Sequence, residues 1–264
     1  MPPLTARLGQ AAHWVRQEGA PPRSWNPVYR ALAEDALAES RAAEPLGTDE
    51  PAPSPEELEL LVRQLCAPAL LVLAVTDGAS TRRLRIALAP DEATLEQSTG
   101  EEPSTWWSAA PAEVPPALLA LLEGTGTAAS PHLAVAAAPA GLRLSAEQIE
   151  TVRAALTTGA SPAAAFAAVP GLDPRLRDAL TATGPRLALS LTLHDPAPGA
   201  DEEPVSWSRL WVRGQLGLYR TNATGAPMPT VHPVPDGDVL GTVLPVLEEG
   251  MRFAAGRTAA GGAR

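Results

Sequence analysis

The chain has 264 residues, enough for one large domain or two small ones, and either size can bury a substantial core. Its 30 acidic and 20 basic residues give a formal net charge of −10, which disfavours nucleic acids and anionic membranes as partners because both attract clustered cations. The single cysteine, Cys66, excludes an internal disulfide bond and is expected to be a small buried apolar residue.

Two helices and a connector are predicted before residue 54. Apolar residues recur at helical spacing over residues 1–18 and again over 28–43. Residues 45–53 form an acidic, proline-rich connector. His13 and Arg16 interrupt the first segment, so it lacks the apolar core of a signal peptide, and no stretch of the chain reaches the roughly 18 apolar residues of a membrane span. We therefore expect a cytoplasmic protein.

A well-specified helix is predicted to begin after Ser54. The Ser54 hydroxyl and the Glu57 carboxylate are spaced as a capping box, in which each side chain satisfies a backbone N–H that has no helical partner. Pro55 occupies the first helical position, where the missing N–H removes no hydrogen bond. Leucine and valine at the i, i+3, i+4 and i+7 positions that follow predict one buried stripe.

Strands are predicted directly after this helix. A continuous apolar run over residues 69–75 is typical of a buried strand, and the alternation over 82–89 predicts one buried and one solvated face. A third strand is predicted over 93–98, and a loop then leads to Trp106 and Trp107. Consecutive residues of a strand point to opposite faces, so one of these two tryptophans can lie off the core.

The second half is predicted to contain the same kinds of element. Segment 124–131 has the weakest structural signals and forms the boundary between the halves. Residues 256–264, rich in glycine and alanine, are predicted to be disordered. The elements predicted around and after the boundary are, in chain order, a helix ending at 122, a short strand at 132–138, a helix at 145–157, an alanine-rich stretch at 160–168, a helix at 173–182, strands at 186–193, 209–213, 216–222 and around 231–234, and a closing helix at 239–253.

The two halves are predicted to be copies of one α+β unit. Residues 54–122 and 173–249 each contain a helix, a proline, an apolar strand, further strands, a tryptophan-containing segment and a closing helix in the same order. A rival repeat with an offset of 91 residues aligns Ser145 with Ser54, but it aligns helices and not strands. Prolines fall at corresponding places in the two copies, as the pairs Pro55 and Pro174, Pro68 and Pro185, and Pro115 and Pro235.

This pattern predicts the α+β fold class. We expect a central antiparallel β-sheet flanked by α-helices, built from two quasi-equivalent halves related by a pseudo-twofold axis. The halves are residues 1–123 and 124–255, with a disordered tail at 256–264, and together they form one structural domain.

No arrangement for metal, nucleophilic or phosphate chemistry is found. His13, His132, His194 and His232 are far apart, and none lies at ligand spacing from another. The chain lacks a Gly-x-Ser-x-Gly sequence and a Gly-Lys-Ser/Thr sequence. We therefore expect no enzyme, no cofactor and no metal. A hydrolase or transferase assembled from scattered residues such as His194, Asp195 and His232 stays open as an alternative.

Eight residues are candidates for contact with a partner protein. Tryptophan and arginine are enriched at the energetic centres of interfaces, and both recur in the predicted strands. The alternative is that the arginines form a solvated strand face and that the tryptophans pack in the core. The candidates are Arg83, Arg85, Trp106 and Trp107 in the first half and Trp207, Arg209, Trp211 and Arg213 in the second.

Three segments follow one another in the C-terminal third. Residues 209–220 read RLWVRGQLGLYR, residues 231–238 read VHPVPDGD, and a helix follows. In the first half, residues 84–90 (LRIALAP), Trp106 and residues 114–116 (VPP) fit the same design. This order resembles the EspG family of type VII (ESX) secretion-associated proteins. The absence of lysine, with abundant alanine, proline and glycine, is typical of a GC-rich actinobacterial genome.

The resemblance implies a quasi-symmetric α+β protein with a central antiparallel sheet flanked by helical bundles. It also implies a cytosolic chaperone that binds helical secretion substrates, either a PE–PPE heterodimer held at the apolar tip of its PPE subunit or a WxG-type pair. Such a chaperone would keep its substrate soluble and competent for export, without nucleic acid binding or membrane insertion. A general adaptor or structural module with an unrelated partner is the alternative.

Overall fold

A computed structural model of the chain describes residues 2–42, 52–100, 102–131, 141–196, 203–221 and 230–261. The strands of this part of the chain are β1 (Leu4–Ala6), β2 (Ala69–Asp77), β3 (Ser80–Leu88), β4 (Ala93–Thr99), β5 (Ser104–Ala109), β6 (Arg186–Leu193), β7 (Val205–Arg213), β8 (Leu218–Thr221) and β9 (Val231–Val234). Its α-helices are α1 (Leu8–Gln17), α2 (Pro27–Ala42), α3 (Pro55–Leu65), α4 (Val114–Leu122), α5 (Ala146–Thr157), α6 (Pro162–Ala167), α7 (Pro174–Thr181) and α8 (Asp238–Gly261).

All nine of these strands belong to one sheet. Their order is β1-β5-β4-β3-β2-β6-β7-β8-β9, and every neighbouring pair is antiparallel. The predicted α+β class and central antiparallel sheet are therefore confirmed. The predicted strand at 132–138 lies outside the described residues.

Helices begin where the sequence places caps. The Ser54 hydroxyl accepts a hydrogen bond from the N–H of Glu57, whose carboxylate accepts one from the N–H of Ser54 at 2.7 Å. Ser145 and Gln148 make the equivalent pair at the start of α5. The Asp173 carboxylate caps α7. The predicted helix starts are confirmed because a cap is made by residues within one turn of each other.

One helix prediction and one strand prediction are wrong at their N-terminal boundaries. The sequence predicts a helix over residues 1–18, but Leu4 to Ala6 form β1, in which Leu4 lies opposite Trp106 of β5. Strand β7 begins at Val205, four residues before the predicted start, because Leu193 and the preceding residues of β6 supply backbone partners along its whole length. Both differences arise from pairing with a distant strand.

Helix α8 extends through most of the predicted tail. It continues to Gly261, whereas residues 256–264 are predicted to be disordered. Ala254 is fully buried, and the Arg257 guanidinium pairs with the Asp195 carboxylate at 2.6 Å. These two contacts hold the helix to the rest of the protein at this end, which a composition-based prediction of disorder does not take into account.

The two predicted halves meet at the centre of the sheet. Strand β2 pairs with β6 through eight residue pairs, so β1–β5 lie on one side of this junction and β6–β9 on the other. Pro68 and Pro185 directly precede the two central strands, and Pro55 and Pro174 each occupy a first helical position. The equivalence of residues 1–123 and 124–255 stays a prediction.

Helices cover the two faces of the sheet unevenly. On one face, here called face A, α4 and α8 pack on leucines of the central strands. The opposite face, face B, carries two separate helix clusters. Helices α1, α2 and α3 pack over the first half of the sheet, and α5, α6 and α7 pack over β8 and β9.

Helix α8 crosses face A closely at Gly250. A Cβ atom at this position would lie 2.5 Å from Leu88 Cδ1 and 3.1 Å from Leu191 Cδ1. Gly256 in the same helix is exposed, and a Cβ there would meet nothing within 4 Å. The two glycines therefore form a matched pair, one required for close packing and one not.

We expect Gly250→Leu to lower the free energy of unfolding by roughly 1–3 kcal/mol, because the added atoms overpack the core under α8. Gly256→Leu is expected to raise it by about 0.5–1 kcal/mol, because leucine favours the helix over glycine. Urea unfolding of both variants, followed by circular dichroism, measures the difference. Equal effects at the two positions would contradict the close approach of α8.

Candidate partner-binding site

Face B is left uncovered between its two helix clusters. Residues paired directly across strands share a face, so Ala74, its partner Ala188 and the next partner Leu210 form one row across β2, β6 and β7. Ser190 and Ser208 belong to the neighbouring row. The helices contact the sheet on either side of these rows, and the small side chains of the rows stay half-buried or exposed. This surface, the central strip, consists of Arg83, Ala74, Ala188, Ser190, Ser208 and Leu210.

The central strip has the features of a protein-binding surface. Its floor of alanine and serine allows another backbone to approach closely. Leu210 has 40% of its surface exposed, which is unusual for a large apolar side chain in a strand of a sheet interior. Arg83 is half-buried at one margin, and its guanidinium has no ion-pair or hydrogen-bond partner in the described part of the chain. The strip can therefore pack against an apolar helix and bind an acidic group beside it.

The eight predicted contact residues do not form one surface, because side chains alternate along each strand. Strand register places three of them on face B and five on face A. The face B residues are Arg83, Arg85 and Trp106, and the face A residues are Trp107, Trp207, Arg209, Trp211 and Arg213. A single partner surface cannot use all eight.

Arg85 lies inside the protein, where it pairs with Glu96 at 2.5 Å. The Tyr29 hydroxyl donates to the same carboxylate at 2.6 Å, the Ser104 hydroxyl donates at 2.8 Å, and the Gln64 amide donates to Tyr29 at 2.7 Å. Burial and the Glu96 carboxylate raise the pKa of Tyr29, so the phenol stays protonated as a donor. Arg85 therefore stabilises the core, which corrects its assignment as a contact residue.

Trp106 and Trp211 are also buried. The indole N–H of Trp106 donates to the Ala6 carbonyl at 3.3 Å. The indole N–H of Trp211 donates to the Asp238 carboxylate at 2.8 Å, and that carboxylate also pairs with Arg220 at 3.0 Å. Both indoles find their hydrogen-bond partners inside the protein, so their assignment as contact residues is corrected as well.

Three of the remaining candidates are accessible from face A. Trp107 and Trp207 are half-buried at the two ends of one cross-sheet row, on β5 and β7. The Arg209 guanidinium lies 4.8 Å from the centre of the Trp207 ring, a cation–π distance. As predicted, the consecutive residues Trp106 and Trp107 point to opposite faces, and only Trp107 is accessible.

The Arg213 side chain contacts two other segments of the same chain. Its guanidinium pairs with Asp236 at 2.7 Å and donates to the carbonyl of Gly126. Asp236 precedes α8, and Gly126 belongs to the segment between the two halves. Arg213 therefore connects that segment to the last strands of the sheet.

The scattered ionisable residues do not converge. His232 lies in the same cross-strand row as Leu187 of β6. His194 follows Leu187 by seven residues, so the two histidines are separated by roughly 23 Å along the strand direction, at about 3.3 Å per residue. Asp195 pairs with Arg257 on α8. Among the described residues, no group of three or more His, Cys, Asp and Glu side chains could hold a metal ion. Within the same residues, no helix is both long enough and apolar enough to span a membrane.

The fold and the site define an α+β protein with a nine-stranded antiparallel sheet and an open central strip between two helix clusters. No protein-family model and no curated protein sequence matches the chain. Among solved structures, the chain is similar to the Mycobacterium tuberculosis type VII secretion system chaperone EspG5, solved in complex with a PE25-PPE41 dimer. The match covers 94% of this chain and 96% of that one, with a TM-score of 0.51 and 11% sequence identity. The chain therefore has the fold of EspG5, as the sequence resemblance predicted.

Substitution of Arg85, which is buried and paired, can be compared with substitution of Arg83, which is half-buried, on the same face of the same strand. Arg85→Ala is expected to lower the free energy of unfolding by about 3–5 kcal/mol, because it leaves the Glu96 carboxylate buried without its cation. Arg83→Ala is expected to change it by no more than about 0.5 kcal/mol, because this side chain has no ion-pair or hydrogen-bond partner among the described residues. Urea unfolding of the two variants checks this, and similar losses for both would contradict the assignment.

Proposed function

We propose that the protein is a cytosolic, non-enzymatic chaperone that binds a helical type VII secretion substrate and keeps it soluble and competent for export. The observation that supports this most strongly is the agreement in fold over nearly the whole of both chains with a type VII secretion chaperone. The partner of that chaperone is a PE25-PPE41 dimer. The proposed substrate of this chain is accordingly a PE/PPE-like or WxG-type helical heterodimer.

The central strip is the proposed contact surface for the substrate. Ala74, Ala188 and Ser190 present little side-chain volume, so a helix can lie close against the sheet. Leu210 would enter the apolar face of that helix, and the Arg83 guanidinium would bind a carboxylate or the carbonyl groups at a helix C-terminus. A few such anchors supply most of the affinity at an interface.

The net charge suits this role. A formal charge of −10 resists self-association, which a protein with an exposed apolar strip otherwise risks. Trp107, Trp207 and Arg209 stay proposed contacts, but they lie on face A and would serve a different region of the partner or a second partner. The two halves, residues 1–123 and 124–255, are proposed as equivalent units because their caps and prolines occupy matching positions.

Co-expression tests the proposal. The chain is produced together with each pair of helical proteins encoded beside its gene, and the products are separated by size-exclusion chromatography. A soluble complex with one pair, in which the pair alone is insoluble, is the expected result. If no helical pair forms a complex but an unrelated neighbour does, the protein is an adaptor and not a secretion chaperone.

Leu210→Arg is expected to weaken the complex at least tenfold, because a cation replaces the apolar anchor of the central strip. Leu244→Arg is the matched control, since Leu244 is similarly exposed at 38% but lies on α8, over face A. Isothermal titration calorimetry measures both affinities. An equal loss in the two variants would place the substrate elsewhere.

A further inference from the structure

An open cleft lies at the end of the sheet where β3 stops. It has a volume of about 550 Å³ and lies between the C-terminal half of α3 and the turn from β3 to β4. Its lining residues are different from those of the central strip. Its walls are mainly apolar and include two prolines, whose backbone is stiff. The apolar walls are formed by Val62, Cys66, Pro68, Ala87, Ala89 and Pro90.

Hydrogen bonds fix the two sides of the cleft to each other. The buried Gln64 side chain of α3 donates to the Arg85 carbonyl at 3.2 Å and accepts a hydrogen bond from the Thr94 hydroxyl at 2.6 Å. Nearer the surface, the Arg63 guanidinium of α3 donates to the Glu92 carboxylate of the turn. The cleft is therefore formed before a partner binds, and little conformational freedom is lost on binding.

The charged side chains at the cleft are mainly acidic. Of the described residues that line it, Arg63 is the basic one, and Asp91 and Glu92 are the acidic ones. The Arg63 guanidinium pairs with Glu92 and also with Glu59, at 2.6 Å. Asp91 is exposed, and its carboxylate has no ion pair or hydrogen bond within the described ranges. One cation thus faces three carboxylates, and Asp91 can pair with an external cation.

The end of α3 contributes negative potential to the same place. The helix ends at Leu65, and the Gln64 carbonyl cannot accept a helical hydrogen bond because the residue four positions later, Pro68, has no N–H. The C-terminus of a helix carries a partial negative charge that favours a nearby cation. The carboxylates and the helix end are separate features, and both favour a positively charged group.

We propose that this cleft binds a partner protein through a segment in which an apolar residue lies next to a lysine or an arginine. The apolar side chain occupies the cleft, and the cation pairs with Asp91 beside the C-terminus of α3. The aliphatic stem of the basic residue adds to the apolar contact while its charged end stays in water. The chemistry is opposite to that of the central strip, where Arg83 favours an acidic group.

A metal ion is a poorer occupant of the cleft than a basic side chain. Ca²⁺ and Mg²⁺ require about six or more oxygen ligands, whereas the walls of the cleft are mainly apolar. In the part of the chain that the structure describes, no group of three or more His, Cys, Asp and Glu side chains could hold a metal ion. An apolar wall beside a free carboxylate instead matches a side chain that combines a hydrocarbon stem with a cation.

The first experiment uses short peptides as probes. The ¹⁵N-labelled chain is titrated with acetyl-Leu-Leu-Arg-amide, with acetyl-Leu-Leu-Glu-amide as the charge control and acetyl-Gly-Gly-Arg-amide as the apolar control. We expect amide shifts at Arg63, Cys66, Ala89 and Asp91 that saturate at millimolar concentration, with at least about fivefold weaker binding of each control peptide. No shift at these residues, or equal binding of the three peptides, overturns the cleft as a binding site.

Three substitutions test the two parts of the cleft. Ala89→Phe partly fills it and Asp91→Asn removes its free carboxylate, and each is expected to weaken binding of the leucine–arginine peptide at least about fivefold. Asp91→Asn is also expected to remove most of the preference for this peptide over the leucine–glutamate peptide.

Asp77→Asn is the matched control, because Asp77 is also exposed but lies beside the turn at the opposite end of β3. Its affinity is expected to stay within about twofold of the wild type. Thermal midpoints show that each variant is folded. Unchanged affinity in both Ala89→Phe and Asp91→Asn contradicts the proposed contacts.

Cys66 gives an independent measure of occupancy. It is the single cysteine of the chain, it is half-buried, and it lines the cleft. Burial raises the pKa of the Cys66 thiol, so alkylation by iodoacetamide is followed under mildly alkaline conditions, where more thiolate forms. Saturation with the leucine–arginine peptide is expected to slow alkylation at least about threefold, because the bound side chain shields the sulfur. An unchanged rate at saturation places the peptide elsewhere.

The outcomes for the cleft and for the proposed function are distinguishable. If Ala89→Phe and Asp91→Asn lose the peptide but still bind the helical pair found by co-expression, the cleft serves a partner other than the substrate. If the chain binds no helical pair, the proposed function fails, while the peptide titration and the alkylation rates still decide whether the cleft is a binding site.

Discussion

The pairing of β2 with β6 is the constraint on which the rest of the structure depends. Eight residue pairs at this junction turn two groups of strands into one nine-stranded sheet. The register also decides what each face contains. It places Leu73 and Leu189 opposite each other on face A, beneath the helices that cover the core, and it places Ala74 opposite Ala188 on face B. A pair of leucines is stable only when a helix covers it, because exposing their apolar surface to water costs free energy. A pair of alanines exposes much less apolar surface and can remain uncovered. The central strip is therefore a direct product of the junction between the halves.

An ion pair with a buried carboxylate orients the interior of each half. In the first half, Arg85 and Glu96 meet on neighbouring strands, with Tyr29 bringing α2 to the same carboxylate. In the second half, Arg220 and Asp238 link β8 to the start of α8, with Trp211 completing the set. Buried charges are tolerated only where every member has a partner, so these groups select one arrangement of helices on the sheet. Arginine suits such positions because its guanidinium carries five donors.

The surfaces that remain accessible fall on both faces. Face B offers the central strip between the two helix clusters. Face A offers Trp207 and Arg209, which the same partner cannot reach from face B. The separation follows from side-chain alternation along β7, where residues with even numbers face one way and those with odd numbers the other. A partner bound at the central strip therefore leaves face A accessible.

The sequence alone determined the helix starts at Ser54, Ser145 and Asp173 and the apolar strand at the centre of the sheet, because these features depend on residues close together in the chain. It also indicated the α+β class and the resemblance to EspG proteins. Strand β1 could not be predicted, because three residues become a strand only when β5 lies beside them. The burial of Arg85 could not be predicted either, since its carboxylate partner sits on the adjacent strand and its cover comes from α2 and α3. Of the eight proposed contacts, only Arg83 belongs to the strip, and the strip itself exists because two helix clusters stop short of each other. Helix caps and apolar runs depend on residues that are near one another in sequence. The exposure of a side chain depends on which distant segments of the chain cover it, and only the tertiary structure decides that.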